Sequence, residues 1–306
     1  MRLPRLLAYC VALLAAGTSV TAANPAGSCD GPRAVAAQPD EWNLDSGTCG
    51  TSHLRKRKDT FFLRIMPLGA SITQGEFSSD ETGYRKSLRQ QLRFDGWEVN
   101  MAGSRHSGSM SDNDHEGWPG YRIDQVYNRA MASVPAFLPN LFTINVGTND
   151  AIQNYDVGSA GERMLALLKY LRSQVPDATF ILSTLLPLRS QPNNARYINT
   201  QYRSLVTRLR GEGWKIVLAE MDDGFITLNE LLDGTHPNDG GYRKMAHRFY
   251  LSISDAIKAG YLAAPHYAGF DDSASVATPA CHRTIGRVWG SAMLVFAMLS
   301  SGKLYF

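Results

Sequence analysis

Short apolar runs of strand length recur along the chain, and between them lie long stretches of helical periodicity. The runs are Phe61 to Met66, Leu141 to Val146, Thr179 to Leu182 and Ile216 to Ala219, with a shorter one at Trp97 to Val99. They are rich in Ile, Val, Phe and Leu without polar alternation, as expected of strands covered on both faces. Met164, Leu167, Leu168, Leu171 and Val175 keep helical spacing, as do Ile198, Tyr202, Leu205, Val206 and Leu209. The longest apolar face runs from Tyr242 through Met245, Ala246, Phe249, Tyr250, Ile253 and Ala256 to Ile257. Alternating strands and helices predict an α/β fold, a three-layer α/β/α sandwich with a mostly parallel sheet, over residues 60–261. Ligands of such sheets bind at the carboxyl ends of the strands, so the segments that follow the strands are where chemistry is expected.

Four such segments stand out. Leu68-Gly69-Ala70-Ser71-Ile72-Thr73-Gln74-Gly75 follows the first strand. Its serine can sit on a tight turn beside free backbone N–H groups, although a lone serine there serves equally as a helix cap. Asn100-Met101-Ala102-Gly103-Ser104 follows the second run; Gly103 either lets its N–H approach a substrate or simply makes a turn. Gly147-Thr148-Asn149-Asp150 offers the Asn149 amide to a developing anion or to a local turn. In Leu232-Asp233-Gly234-Thr235-His236-Pro237, the three-residue spacing lets Asp233 hold one ring nitrogen of His236 and leave the other free to take a proton. A metal pair is the rival reading, but no Cys/His cluster of zinc spacing supplies further ligands.

Together the four supply a nucleophile, a base, an orienting acid and oxyanion donors. The blocks Gly69-Ala70-Ser71-Ile72-Thr73, Gly103, Gly147-Thr148-Asn149-Asp150 and Asp233-Gly234-Thr235-His236-Pro237 resemble, in order, those of the SGNH (GDSL-type) hydrolases. No G-x-S-x-G elbow surrounds the serine, unlike in an α/β-hydrolase. The segments Asp112 to Asp124 and Pro237-Asn238-Asp239-Gly240-Gly241-Tyr242 resemble carbohydrate esterase family three, the acetylxylan-esterase-like branch. Ala70 departs from the pattern, since the family usually has Asp before the nucleophile.

The resemblance implies a flavodoxin-like single catalytic domain and a carboxylic ester hydrolase that needs no cofactor and no metal. In it Ser71, Asp233 and His236 are catalytic, and the Ser71 and Gly103 N–H groups and the Asn149 amide form the oxyanion hole. His115 and Trp118 are candidates to line the substrate, with loop packing as the alternative. The acidic Asp112 to Glu116 loop lacks the D-x-D-x-D-G spacing of a calcium EF-hand. The expected substrate is an acetylated carbohydrate such as xylan, or another small ester. A lipase or long-chain carboxylesterase, and a carbohydrate-binding protein without turnover, are the alternatives.

Of 306 residues, 31 are Lys or Arg and 28 Asp or Glu, a net charge of +3 that is too small for a nucleic-acid binder. Arg2 and Arg5, the apolar run Leu6 to Ala16 and the small residues Val20-Thr21-Ala22 predict a secretory signal over 1–22 and hence an extracellular protein. Residues 23–59 read as a flexible leader, with the basic run Arg55 to Lys58 as a solvated linker or a processing site. Loss of Cys10 with the signal leaves Cys29, Cys49 and Cys281, of which Cys29 and Cys49 are the expected pair. Residues 262–306 form a tail whose apolar stretch, Ala292 to Leu299, is too short to span a bilayer. It reads as an imperfect lipid-anchor signal or a truncated module. No stable membrane insertion and a monomeric state are expected.

Overall fold

The first apolar run becomes strand β1 (Leu63–Gly69) in the computed structural model, which describes residues 61–266. Then follow α1 (Ser71–Gln74), α2 (Arg85–Phe94), β2 (Val99–Met101), β3 (Arg105–His106), β4 (Asp114–Gly117), α3 (Ile123–Phe137), β5 (Leu141–Asn145) and α4 (Thr148–Ile152). The chain continues through α5 (Ala160–Gln174), β6 (Thr179–Ser183), α6 (Pro192–Gly211), β7 (Ile216–Ala219) and α7 (Asp239–Lys258). The signal segment, the leader with Cys29 and Cys49, the Arg55 to Lys58 run, and Cys281 with all of the tail beyond His266 lie outside the described residues.

The seven-stranded sheet runs β3-β4-β1-β5-β6-β7, with β2 also paired to β1, and only β3 and β4 pair antiparallel. β2 pairs with the first half of β1 (Leu63 to Ile65) and β4 with its end (Leu68 and Gly69), while β5 follows Ile65 through Gly69. Pro67 sits inside this strand without a lost bond. Ile65 and Gly69 accept from Ala102 and Trp118. Alternation therefore aims the N–H that Pro67 lacks at the gap between β2 and β4.

Strand alternation splits the apolar residues between two cores. Met66, Leu68, Phe142, Ile144, Phe180 and Leu182 pack with residues of α3, α5 and α6. Leu63, Ile65, Leu141, Ile181 and Val217 pack with residues of α2 and α7. Full burial of each such side chain contributes about 1.5–3 kcal/mol, and the two cores fix the three layers. This is the α/β/α sandwich that the strand and helix pattern predicts.

The pairs β3 and β4 are not foreseen by periodicity. Their residues, Arg105-His106 and Asp114-His115-Glu116-Gly117, are polar, and a two-residue strand carries no hydrophobic period. The chain visits β1's β2/β4 side first and the β5 side second. The strand order reverses there, so the carboxyl ends of β1 and β5 are where a ligand is expected to bind.

Candidate active site

Ser71 is the first residue of α1, immediately after β1, and is almost buried. Gly69 permits the turn, because a Cβ there would overlap the carbonyl of Asn145 on β5. Ala70 stands at the N-cap and gives no side-chain hydrogen bond. The aspartate expected there would have accepted from the helix start; without it the first N–H groups of α1 are uncapped. Among the described residues the Ser71 N–H has no protein acceptor.

The hydroxyl of Ser71 meets His236, with Oγ 2.8 Å from Nε2. The other ring nitrogen, Nδ1, lies 2.7 Å from Asp233 Oδ2. Asp233 Oδ1 accepts from the N–H groups of Thr235 at 2.9 Å and His236 at 2.7 Å. One carboxylate thus folds the loop and orients the ring. Burial pushes the Asp233 carboxyl up, but the hydrogen bonds from His236 and Thr235 outweigh it and hold the group below the usual range. The loop is pinned from outside by Arg189, whose N–H donates to Gly234 O at 3.0 Å, and by Leu232, whose N–H donates to His236 O at 2.9 Å.

Asn149 lies in the first turn of α4, after β5. Its Nδ2 donates to Tyr121 O at 2.9 Å, which uses one of two amide hydrogens. Gly147, at φ +118, takes a backbone form that L side chains rarely adopt, and Tyr202 braces this corner by donating from its hydroxyl to Val146 O at 2.9 Å. Gly103 presses against β4 so closely that a Cβ would overlap the backbone of His115. Its N–H, too, has no acceptor among the described residues.

One of the expected substrate-lining residues is placed otherwise. His115 does not line the cleft: it is 0% exposed, its Nδ1 accepts from the Gly117 N–H at 2.9 Å, and Nε2 lies 2.8 Å from Ser107 Oγ. Burial, and then the nearby charges of Arg85, Arg105 and His106, push its pKa down to about 2, so it stays neutral. It is a packed element of β4. Trp118 is half-buried, but its ring is covered by the guanidinium groups of Arg105, 4.5 Å from the centroid, and Arg129, at 4.2 Å.

The acidic loop is likewise spent on the protein. Asp112 accepts from the Met101 N–H and pairs with Arg89, and Glu116 accepts from the Ser104 N–H and from Trp118 Nε1. Arg85 is fully buried and donates to the carbonyls of Gln74, Glu81, Ser107 and Asn113, so it joins α1 to the segment around β3 and β4. Burial pushes this guanidinium down to about 10, against the pull of Tyr84, Tyr242, Asp80 and Asp114.

Two site neighbours carry no sequence signal that would single them out. Glu76 Oε2 lies 3.4 Å from His236 Nε2, and Phe77 stacks on the His236 ring. Both belong to a loop without period, held where the Tyr242 hydroxyl donates to Glu76 O at 2.6 Å. Tyr242 itself reads from sequence only as part of the apolar face of α7.

A family model described as GDSL-like lipase/acylhydrolase matches residues 65–249, from β1 to α7. The chain belongs to this family. A multidomain esterase from Ruminococcus flavefaciens is 28% identical to the acylhydrolase chain over 226 residues, 64% of this chain but only 29% of that much longer protein. Two solved structures share its fold. A family 3 carbohydrate esterase from Clostridium thermocellum is 24% identical at a TM-score of 0.60, covering 65% of this chain and 99% of the other. A carbohydrate esterase family 3 structure from Talaromyces cellulolyticus is 24% identical at a TM-score of 0.58, with the same coverage.

Proposed function

We propose that the acylhydrolase domain is a serine ester hydrolase that removes O-acetyl groups from a polysaccharide such as xylan. The observation that carries this reading is the line from Ser71 Oγ through the His236 ring to Asp233, closed by contacts of 2.8 and 2.7 Å. His236 takes the hydroxyl proton through Nε2 as Ser71 attacks the ester carbonyl, and Asp233 holds the productive tautomer and faces the imidazolium that forms. The tetrahedral oxygen is met by the Ser71 and Gly103 N–H groups and by the remaining hydrogen of the Asn149 amide. Losing one such donor costs about 10²–10³ in turnover. The alcohol leaves with the proton from His236. Water, deprotonated by the same ring, then splits the acyl-serine.

Acetate as the acyl group and a sugar as the alcohol are supported by the likeness to proteins named carbohydrate esterases, which bears on the fold. Export to the outside of the cell is supported by the basic start and apolar core of residues 1–22, and the domain is taken to act as a monomer. The test compares wild type with Ser71→Ala on p-nitrophenyl acetate, p-nitrophenyl octanoate and acetylated xylan. Loss of acetate release only in the variant is expected. Equal activity of the two proteins on nitrophenyl acetate sinks the mechanism, and a preference for octanoate turns the reading toward a lipase.

A further inference from the structure

We propose that Arg105 and Arg129, stacked on Trp118 beside the nucleophile turn, form a receptor for a carboxylate carried by the substrate, such as that of a uronate sugar near the ester. This rests on the ester-hydrolase reading and adds a specificity to it.

The location comes from hydrogen bonds. Trp118 N–H donates to Gly69 O at 3.0 Å, two residues before Ser71. Arg105 Nη2 donates to Gln74 Oε1 at 3.0 Å, at the end of α1. Arg129 Nη2 donates to the Tyr121 hydroxyl at 2.9 Å, and the carbonyl of the same Tyr121 holds Asn149. One guanidinium is thus tied to the end of the nucleophile helix and the other to the tyrosine that holds Asn149.

Neither charge is spent on an ion pair within the described residues. Neighbouring Arg122 has Asp124 at 3.6 Å, and Arg163 pairs with Asp150. Among the described residues, neither Arg105 nor Arg129 has a carboxylate within ion-pair distance. Glu116, the acid on this wall, is fully buried, and its two oxygens are taken by the Ser104 N–H and Trp118 Nε1. Lying 4.5 and 4.2 Å from one indole centroid, the two charges are within roughly 9 Å of each other, inside a Debye length in 0.1 M salt. Two like charges held this close repel, and the Glu116 carboxylate on the indole edge eases this without a free oxygen left to bridge them.

The stacking also sets the chemistry. A guanidinium that lies over a ring spends its face on the ring and keeps its N–H edge for an acceptor, and that edge matches the two oxygens of a carboxylate. Arg129 is exposed and Arg105 half-buried, so one side chain reaches for the ligand and the other is fixed by the fold.

The test uses xylo-oligosaccharides that bear a uronate and the same oligosaccharides with the carboxyl reduced to an alcohol. Calorimetric titration into Ser71→Ala should give binding at least about tenfold tighter for the acid form. Adding Arg129→Gln, or separately Arg105→Gln, should abolish that preference. With acetylated versions and active enzyme, the preference should appear in KM and be lost in Arg129→Gln. Equal binding of the acid and reduced forms, no binding of either, or an equal loss on both in Arg129→Gln overturns the receptor. An inactive wild type on nitrophenyl acetate instead removes the hydrolase reading, and the titration still decides on the carboxylate.

Discussion

The Phe77 ring lies nearly parallel to the His236 imidazole, with centroids 5.2 Å apart and planes 17° from parallel. Phe77 is 53% exposed and sits at φ 67, a left-handed conformation that costs a non-glycine residue about 1–2 kcal/mol. An exposed aromatic held at that cost covers one face of the ring that the proposed mechanism uses for proton transfer.

Phe77→Asn tests this, since Asn tolerates the left-handed form. Folding stability should stay within about 1 kcal/mol of wild type, because little buried area is lost and strain is relieved. Turnover of p-nitrophenyl acetate should fall about tenfold, less than the roughly 10²–10⁴ that a general acid–base group itself supplies. Unchanged turnover would mean that Phe77 is only a surface residue.

Asp233→Asn keeps the shape of the loop but reverses the hydrogen-bond demand on Nδ1. Turnover should drop by about 10³–10⁴. Because hydrogen bonds hold the Asp233 carboxyl below 3.8, its stabilising effect is complete above that pH and fades as the pH falls through the lowered folded value. Denaturation midpoints of wild type and variant should therefore differ at pH 6 and converge in strong acid. A gap that widens on acidification contradicts the assignment.

Gly103→Ala and Asn149→Ala address the oxyanion site from two sides. Each should lower kcat by about 10²–10³ with little change in KM. Gly103→Ala should also cost stability, as the new methyl must displace the His115 backbone. Full activity in both variants removes these groups from the mechanism.

His115 makes the fold acid-sensitive. Its pKa is depressed to about 2 by burial and by nearby cations, whereas the unfolded chain takes up a proton near 6.5. Between these values only the unfolded state binds that proton, so stability falls on acidification by about 1.4 kcal/mol per pH unit from this group. Urea midpoints measured from pH 7 to pH 5 should show a shallower slope in His115→Gln. Parallel slopes would show that the ring does not stay neutral.

Arg85→Lys should be nearly as harmful as Arg85→Met. The planar fork reaches four carbonyls on separate segments, and an ammonium cannot span them. Each buried acceptor left bare costs about 1–3 kcal/mol, so a loss of at least about 3 kcal/mol is expected from calorimetry or denaturant unfolding. Wild-type stability of Arg85→Lys would contradict this.

Much of this architecture is legible in the sequence. Leu141–Asn145, Thr179–Ser183 and Ile216–Ala219 declare themselves because both faces of each strand are covered, and Tyr242 to Ile257 because a single helical face is. Ser71, Asp233 and His236 come together because the first directly follows β1 and the other two lie in the last loop before α7, while Asn149 follows β5, the neighbour of β1. β1 proves displaced, running to Gly69 where the apolar run suggests Met66, since pairing with β5 continues through Pro67. What sequence does not reveal depends on contacts between loops. His115 has the composition of a sugar-binding wall, yet it is enclosed by Ser107 and Gly117, and the two arginines that meet Trp118 carry no periodic signal. Phe77 and Glu76 acquire a role only once α7 brings Tyr242 against their loop.

The outermost strands of the sheet are three residues (β2), two residues (β3) and four residues (β7) long. A row of unpaired backbone groups that brief gives a second molecule almost no template for strand addition, and β3 carries charged and polar side chains as well. Cutting the sheet short at its edges therefore protects the described domain against edge-to-edge aggregation at high concentration.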